Sequence, residues 1–500
     1  MKRLRAVALA LALVAIATAD IGSPNVIFDG DAGPYPVRVI VRPPSVVPGL
    51  ADVIVRVDAA DASRVVLRPV YSRVGVNGAP QGDEARRTPG RPNVYTGQLW
   101  LMVRGAYSVY VTVSGARGQG TAIVPVNSFA TGRLGLSRGL GVLLAVLGAL
   151  LLAGLVTIIR AASGESLLAP GKELDARTRR RANLVAGVAT PVLGLLVLGG
   201  AKWWSSVDAE YQRFMYRPPA VDAVVSTSDA EGSSGVHRTL RLSLRDTAAY
   251  RALLSAVIPD HGKMMHIFLV RDPDLAAFAH LHPVQTDSLS FTTEVPGIPA
   301  GRYRLFGDLA LENGTTLTVT TSVDVPPLPN SPAAPSDRDD AWSVAPGATQ
   351  LWPGASAPIE NGNLVLSWAG TASPFRVGQP VDLRFVVRTR DGAPAMLEPY
   401  LGMSAHAVVM HNDGSVFVHL HPMGTVSSAA QEVFVARDRG DTTTSGRLRI
   451  DSAATNVTMP VSSEFSLPYE FPKPGRYRLW VQVKAHGVPW TAVFDADVVQ

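Results

Sequence analysis

Gly139 to Ile159 is 21 residues without a charged side chain, long enough as a helix to cross a bilayer. A second apolar run, Leu184 to Ala201, is interrupted by Pro191 and followed by Lys202-Trp203-Trp204, residue types that favour the membrane–water interface. The basic segment between them carries Arg177, Arg179, Arg180 and Arg181, and an excess of Lys and Arg marks the cytoplasmic side. The expectation is two transmembrane helices, residues 136–160 and 183–204, joined by a basic cytoplasmic loop, 161–182. Both flanking regions then face outward. Met1 to Ala19 agrees, because its basic start, apolar stretch and Ala17-Thr18-Ala19 have the pattern of a cleavable signal peptide.

The formal charge of +5 dissolves once it is located. Lys2, Arg3 and Arg5 supply +3, and the segment from Arg160 to Ala182 supplies another +3, so the remaining chain is close to −1 with no basic stripe to track phosphates. No nucleic-acid partner is expected. With no cysteine, disulfides, thiolate metal sites and cysteine nucleophiles are excluded together, and soft-metal chemistry must rest on His and Met.

Outside the apolar runs, short strand-like stretches alternate with Pro, Gly and Asp clusters, which predicts a mainly β chain. Residues 20–130 contain no histidine and show runs such as Val37 to Val41, Ala51 to Val57, Val65 to Val70 and Tyr107 to Val113. Two further modules follow, at 220–325 and 349–500, separated by a Pro-rich linker, 326–348. Each carries His-Leu-His-Pro, at His280 to Pro283 and His419 to Pro422, with another histidine upstream at His266 and His406. Asn412-Asp413-Gly414-Ser415 between apolar runs is a hairpin signal. With Asp413 and Gly414 at the turn, Met410 faces Phe417, Val408 faces His419 and His406 faces His421. The same reading of the first copy, with Pro273, Asp274 and Leu275 as a three-residue turn, pairs His266 with His282 and Phe268 with His280.

Opposed residues share a sheet face, with Cβ atoms about 4.5 to 5.5 Å apart. His266, His280 and His282, and equally His406, His419 and His421, therefore converge, ringed by Phe268, Phe278, Met410 and Phe417. Three imidazoles on one face suit Cu or Zn. Met264, Met265, Met403, Met410 and Met423 lie close by in sequence, and thioethers favour Cu(I); the competing reading is gap-filling in a core. His411 falls on the opposite face and is expected to be solvated, His261 reads as a loop residue, and His237 and His486 have no evident partners.

Each module then returns to a shared pentapeptide, Gly301 to Leu305 and Gly475 to Leu479, both reading Gly-Arg-Tyr-Arg-Leu, with Gly105-Ala106-Tyr107 a looser instance. A tyrosine after a glycine turn, bonding back to the backbone, fits the tyrosine corner of Ig-type sandwiches. The second module carries about 35 extra residues by this alignment, expected as a loop or hairpin around Asp438 to Ser463. The fold expectation is three Ig-like antiparallel β-sandwich domains plus two transmembrane helices.

The combination of a histidine, an apolar strand, HLHP and Gly-x-Tyr-x-Leu resembles the bacterial YtkA-like envelope Ig-like domains, themselves related in shape to CopC-like copper-binding sandwiches. The resemblance covers His266 to Asp308 and Leu397 to Val483, and implies an exported sandwich associated with copper, with the six histidines above as ligands. Asp20-Ile21-Gly22 has no histidine for the amino-terminal copper clamp of the CopC-like group.

No catalytic signature stands out. Gly135-Leu136-Ser137-Arg138-Gly139 matches Gly-x-Ser-x-Gly but lacks the strand a nucleophile elbow needs. Asp308 after one pentapeptide is matched by Gln482 after the other, which argues against shared carboxylate chemistry, and no acidic residue is evidently fixed beside both clusters. The expectation is a non-enzymatic protein of a bacterial inner membrane, binding copper or failing that zinc at outward-facing modules, with envelope metal-trafficking proteins as partners. The alternative is a metal-free structural or interaction protein in which HLHP braces each hairpin.

Overall fold

The computed structural model describes residues 20–21, 25–166, 168–169, 171–229, 236–245, 255–328, 337–344, 351–370, 374–444, 447–450 and 460–500. The signal peptide reading, 1–19, lies outside them. The chain divides into two compact units, 1–129 with 217–500, and 130–216.

The smaller unit is a helix pair. Helix α1, Arg138–Glu165, starts at Ser137, whose side chain accepts from the Leu140 N–H, so the serine of the Gly-x-Ser-x-Gly match is a helix cap. Helix α2, Ala176–Phe214, is capped by Asp175. Both are long and apolar enough to cross a membrane. The four arginines assigned to a loop lie instead in the opening turns of α2, because arginine is a good helix former and the chain is helical as soon as Asp175 caps it. The helix also runs past residue 204 to Phe214, through Pro191.

Among the described residues, the larger unit holds six sheets. Two form the amino-terminal sandwich, and all four strands expected there are present, within Tyr35–Arg42, Gly49–Val57, Ala62–Tyr71 and Gly105–Gly115. Alternate valines of these strands, Val37, Val39, Val53, Val55, Val109 and Val111, fill its core. Asp20–Ile21 do not join this domain but pair in parallel with Val416–Phe417 of the second module.

Each His-bearing module pairs a four-stranded sheet with a larger one. In the first, the larger sheet contains the hairpin His266–Arg271 and Ala277–Leu281, flanked by Gly301–Leu311. In the second, His406–His411 and Val416–Leu420 are flanked by Gly475–Ala485. Both registers agree with the sequence reading: Phe268 pairs with His280, Val408 with His419 and Met410 with Phe417. Tyr303 and Tyr477 donate to the carbonyls of Pro299 and Lys473, 2.7 and 2.8 Å, and Tyr107 Oη accepts from the Val103 N–H.

Two stretches depart from expectation. Ala341–Val344, inside the supposed linker, is an edge strand on Ala277–Leu281; a short run with Ala341 buried and Trp342 partly so can pair even between Pro- and Asp-rich flanks. The stretch expected as a loop or hairpin, around Asp438 to Ser463, is preceded by a helix, α3, Ser428–Arg439, which takes in its first two residues. Ser427 caps its start and Gly440, at φ 71°, closes its end. Phe434 of α3 packs with Val70, Ala106 and Tyr110 of the amino-terminal domain, while Ala429 and Val433 pack with Ile258 and Ala310 of the first module.

The two larger sheets meet face to face through Phe268, Val270, Leu275, Phe278 and Phe306 from one module and Val408, Met410, Phe417 and Trp480 from the other. The contacts are reciprocal. Phe306 stacks on Phe417 at 4.0 Å, and Trp480, at the equivalent strand position, stacks on Phe278 at 4.9 Å. Two copies of one hairpin related in this way form an isologous interface within a single chain.

Candidate metal centre

The face that carries the histidines is the face that packs. Strand parity puts His266 and Phe268 on the same side, and His406, Val408 and Met410 likewise, so the apolar contact drives both imidazole sets into one closed chamber. His280 and His406 are 0% exposed, and His261, His266, His282 and His421 at most 4%. Burial, the leading cause in each case, pushes His266 down to about 4 and His280, His282, His406, His419 and His421 well below the ordinary histidine value. These rings are neutral near pH 7, the form that ligates metal.

His266, His280 and His282 form one group, with ligand atoms within 4.8 Å of one another. Their other nitrogens are tied. His266 Nε2 lies 3.2 Å from the Asp260 carbonyl and must donate to it. Tyr400 Oη donates to the Asp339 carbonyl, 2.9 Å, and can therefore accept from His280 Nδ1, 3.2 Å, which also faces Gln482 Oε1 at 2.9 Å. His282 Nδ1 is 3.0 Å from Asp340 Oδ1. His266 Nδ1 and His280 Nε2 are then both lone pairs, facing each other across 3.1 Å. Two acceptors cannot hydrogen-bond to one another.

The second group is not the one read from the sequence. His406 and His421 are joined by His261, from the first module, within 4.8 Å. His261 is buried in a turn at φ 51°, and its ring lies 4.8 Å from that of His421 and 5.5 Å from that of His406. His419 stands between the groups, with ring centres 4.4 Å from His421, 5.2 Å from His266 and 5.4 Å from His280. The cross-strand partners His406 and His421 are 4.8 Å apart, and His266 and His282 5.1 Å.

Asp308 and Gln482 occupy matching positions, opposite His266 and His406. Each reaches across to the middle histidine of the other module: Gln482 to His280, and Asp308 Oδ2 to His419 Nδ1 at 3.6 Å. The mismatch in sequence thus places two different polar side chains beside the two middle histidines. Aspartates do lie beside the histidines, contrary to expectation, among them Asp260, Asp308, Asp337 and Asp340. Burial raises Asp308 and Asp340 to about 7. Asp260, despite the opposing effect of burial, is held at about 2 by the nearby His261 and His266 and by hydrogen bonds at the start of α3, where it accepts from Ser428 Oγ and Ala429 N, 2.8 and 3.0 Å.

His411 is buried rather than solvated, bonded to Asp413 and the Pro474 carbonyl, because its face is covered by the module's own core. His237 and His486 lie beside Glu294 and Glu360. Met403 and Met423 pack into the amino-terminal core and Met410 into the inter-module cluster, as gap-filling predicts. His261 could have been found by laying one module on the other: it stands five residues before His266, as Leu401 stands five before His406, and both are followed by glycine and share a φ of 51°.

A family model described as a domain of unknown function (DUF8832) matches residues 220–327 and 362–500. The DUF8832 match takes in all seven histidines of the chamber but not Asp340. No curated protein matches the chain. Among solved structures, dimeric latent PorU from Porphyromonas gingivalis aligns at 8% identity and a TM-score of 0.14, over 95% of this chain and 34% of that one. The chain thus spans about a third of the length of PorU, and a likeness this low carries no weight for fold or function.

Proposed function

We propose that this chain is a membrane-anchored protein that binds metal, copper first and zinc second, in the chamber between its two outward-facing modules, to handle or deliver the ion rather than to catalyse. The observation that carries the reading is the group of buried imidazole nitrogens between the modules without hydrogen-bond partners among the described residues, including one each on His282 and His419 and both on His261 and His406. Leaving a buried polar atom unsatisfied costs about 1–3 kcal/mol, and an ion bound to the lone pairs relieves it. The 3.1 Å between His266 Nδ1 and His280 Nε2 is the separation of two nitrogens bound at about 2.0–2.1 Å with an angle of about 100° between them. Seven imidazoles and no thiolate suit copper and zinc alike. Asp340 behind His282 supplies the carboxylate–histidine pairing that orients a metal ligand. Helices α1 and α2 supply the anchor.

The test is titration of the full-length protein in detergent, prepared metal-free, with Cu(I), Cu(II) and Zn, beside the His282→Ala/His421→Ala double variant. Binding well below micromolar that the double variant loses is expected. No binding tighter than about 1 μM in the wild type overturns the reading and leaves HLHP as architecture.

A further inference from the structure

The two imidazole groups are not equivalent. In the first, every ring is fixed through its second nitrogen: His266 by the Asp260 carbonyl, His280 by Gln482 and Tyr400, His282 by Asp340. Each offers one free nitrogen inward. In the second, neither ring nitrogen of His261 or His406 has a hydrogen-bond partner among the described residues, and the Asp260 carboxylate lies 3.8 Å from His261 Nε2. A ligand held by an outer partner is pre-oriented and more basic, and such partners change metal affinity about 10–100-fold. The second group also draws on both modules, and its first-module member sits on a strained turn, since a non-glycine residue at positive φ persists only where the surroundings enforce it. Asp260, which accepts from the Ala429 N–H, ties the start of helix α3 to that turn.

We infer that the chamber holds two unequal ions, a tightly bound one at His266, His280 and His282 and an exchangeable one at His261, His406 and His421, with His419 between them. The inference rests on the metal-binding reading above. It assigns a ligand role to His261 and makes the second site a property of the docked modules rather than of either alone. The weaker site, whose ligands come from both modules, is the one that would pass its ion on.

The experiment is a stepwise Cu(I) titration of the full-length protein in detergent against a chromophoric chelator, repeated with Zn. Two binding steps separated by at least about tenfold are expected. His261→Asn, chosen because asparagine tolerates positive φ, removes the weaker step and keeps the tighter; His406→Ala removes the same step independently. His282→Ala abolishes or merges the tighter step and leaves the weaker. Thermal melts of each variant establish that it is folded. A single ion per chain, two steps of equal affinity, or two steps that survive both His261→Asn and His406→Ala overturn this inference while leaving metal binding intact. Absence of any binding in the wild type overturns both.

Discussion

Replacing Asp340 by asparagine tests whether the tight site depends on its outer carboxylate. Asp340 Oδ1 accepts from the His282 backbone N–H, 2.9 Å, and faces His282 Nδ1 at 3.0 Å, while Oδ2 accepts from Asp337 N at 3.2 Å. An amide has one acceptor where the carboxylate has two. The substituted side chain therefore keeps its oxygen toward His282 and turns its NH2 toward the Asp337 N–H, exchanging the longest bond for a contact between donors. The bond to His282 Nδ1 survives but loses its charge. Bonds to charged groups contribute about 1.5–3 kcal/mol and neutral ones about 0.5–1.5, so the metal-bound state loses about 1–1.5 kcal/mol, close to tenfold in Kd. Competition titration with Cu(I) and Zn at pH 8 measures this, alongside a melt showing that the variant is folded. Because burial raises the Asp340 carboxyl to about 7, acid converts the wild type into a neutral partner as well. The gap between wild type and D340N should narrow at pH 6. Equal affinities at pH 8 in a folded variant refute the orienting role.

Three further outcomes are expected. Phe268→Ala removes a fully buried ring from the inter-module cluster; it should cost about 3–5 kcal/mol in denaturant melts and weaken metal binding as well, and a loss of under 1 kcal/mol contradicts the face-to-face packing. Gly424 has φ 102°, and a Cβ there would lie 2.2 Å from the Ile27 carbonyl oxygen. Gly424→Ala should therefore break the bonds from Asp29 N to Met423 O and from Thr425 N to Ile27 O and raise proteolysis between the amino-terminal domain and the second module. Finally, His266 falls from 6.5 to about 4 on folding without metal. Its contribution is full above pH 6.5, where both states are neutral, and is lost as pH falls toward 4 and the unfolded chain takes up the proton, by about 3 kcal/mol. Asp308 and Asp340 act in the opposite sense between about pH 4 and 7, so the difference between wild type and His266→Gln is the quantity to follow; if it is flat from pH 7.5 to 4.5, burial does not govern this ring.

Local pattern alone determined the two apolar helices, the valine-rich strands and the hairpin registers, because a period of two and a turn type fix which residues oppose one another within a few positions of the turn. Six of the seven chamber histidines were legible for the same reason. What those hairpins face was decided only by tertiary structure. One-sided strands with Phe268, Phe278, Met410 and Phe417 beside imidazoles are compatible with an open surface or with a partner, and it is the docking of one module on the other that buries them. That docking regroups His406 and His421 with His261 and leaves His419 between the two sets. It also brings Gln482 to His280 across the interface. These pairings join residues more than a hundred positions apart, for which the sequence carries no spacing rule. The strand at Ala341–Val344 and the helix at Ser428–Arg439 were obscured by their Pro- and Asp-rich surroundings and by weak periodicity. The strand takes its conformation from the buried surface it finds, while the helix is also bounded locally, by Ser427 at its start and Gly440 at its end.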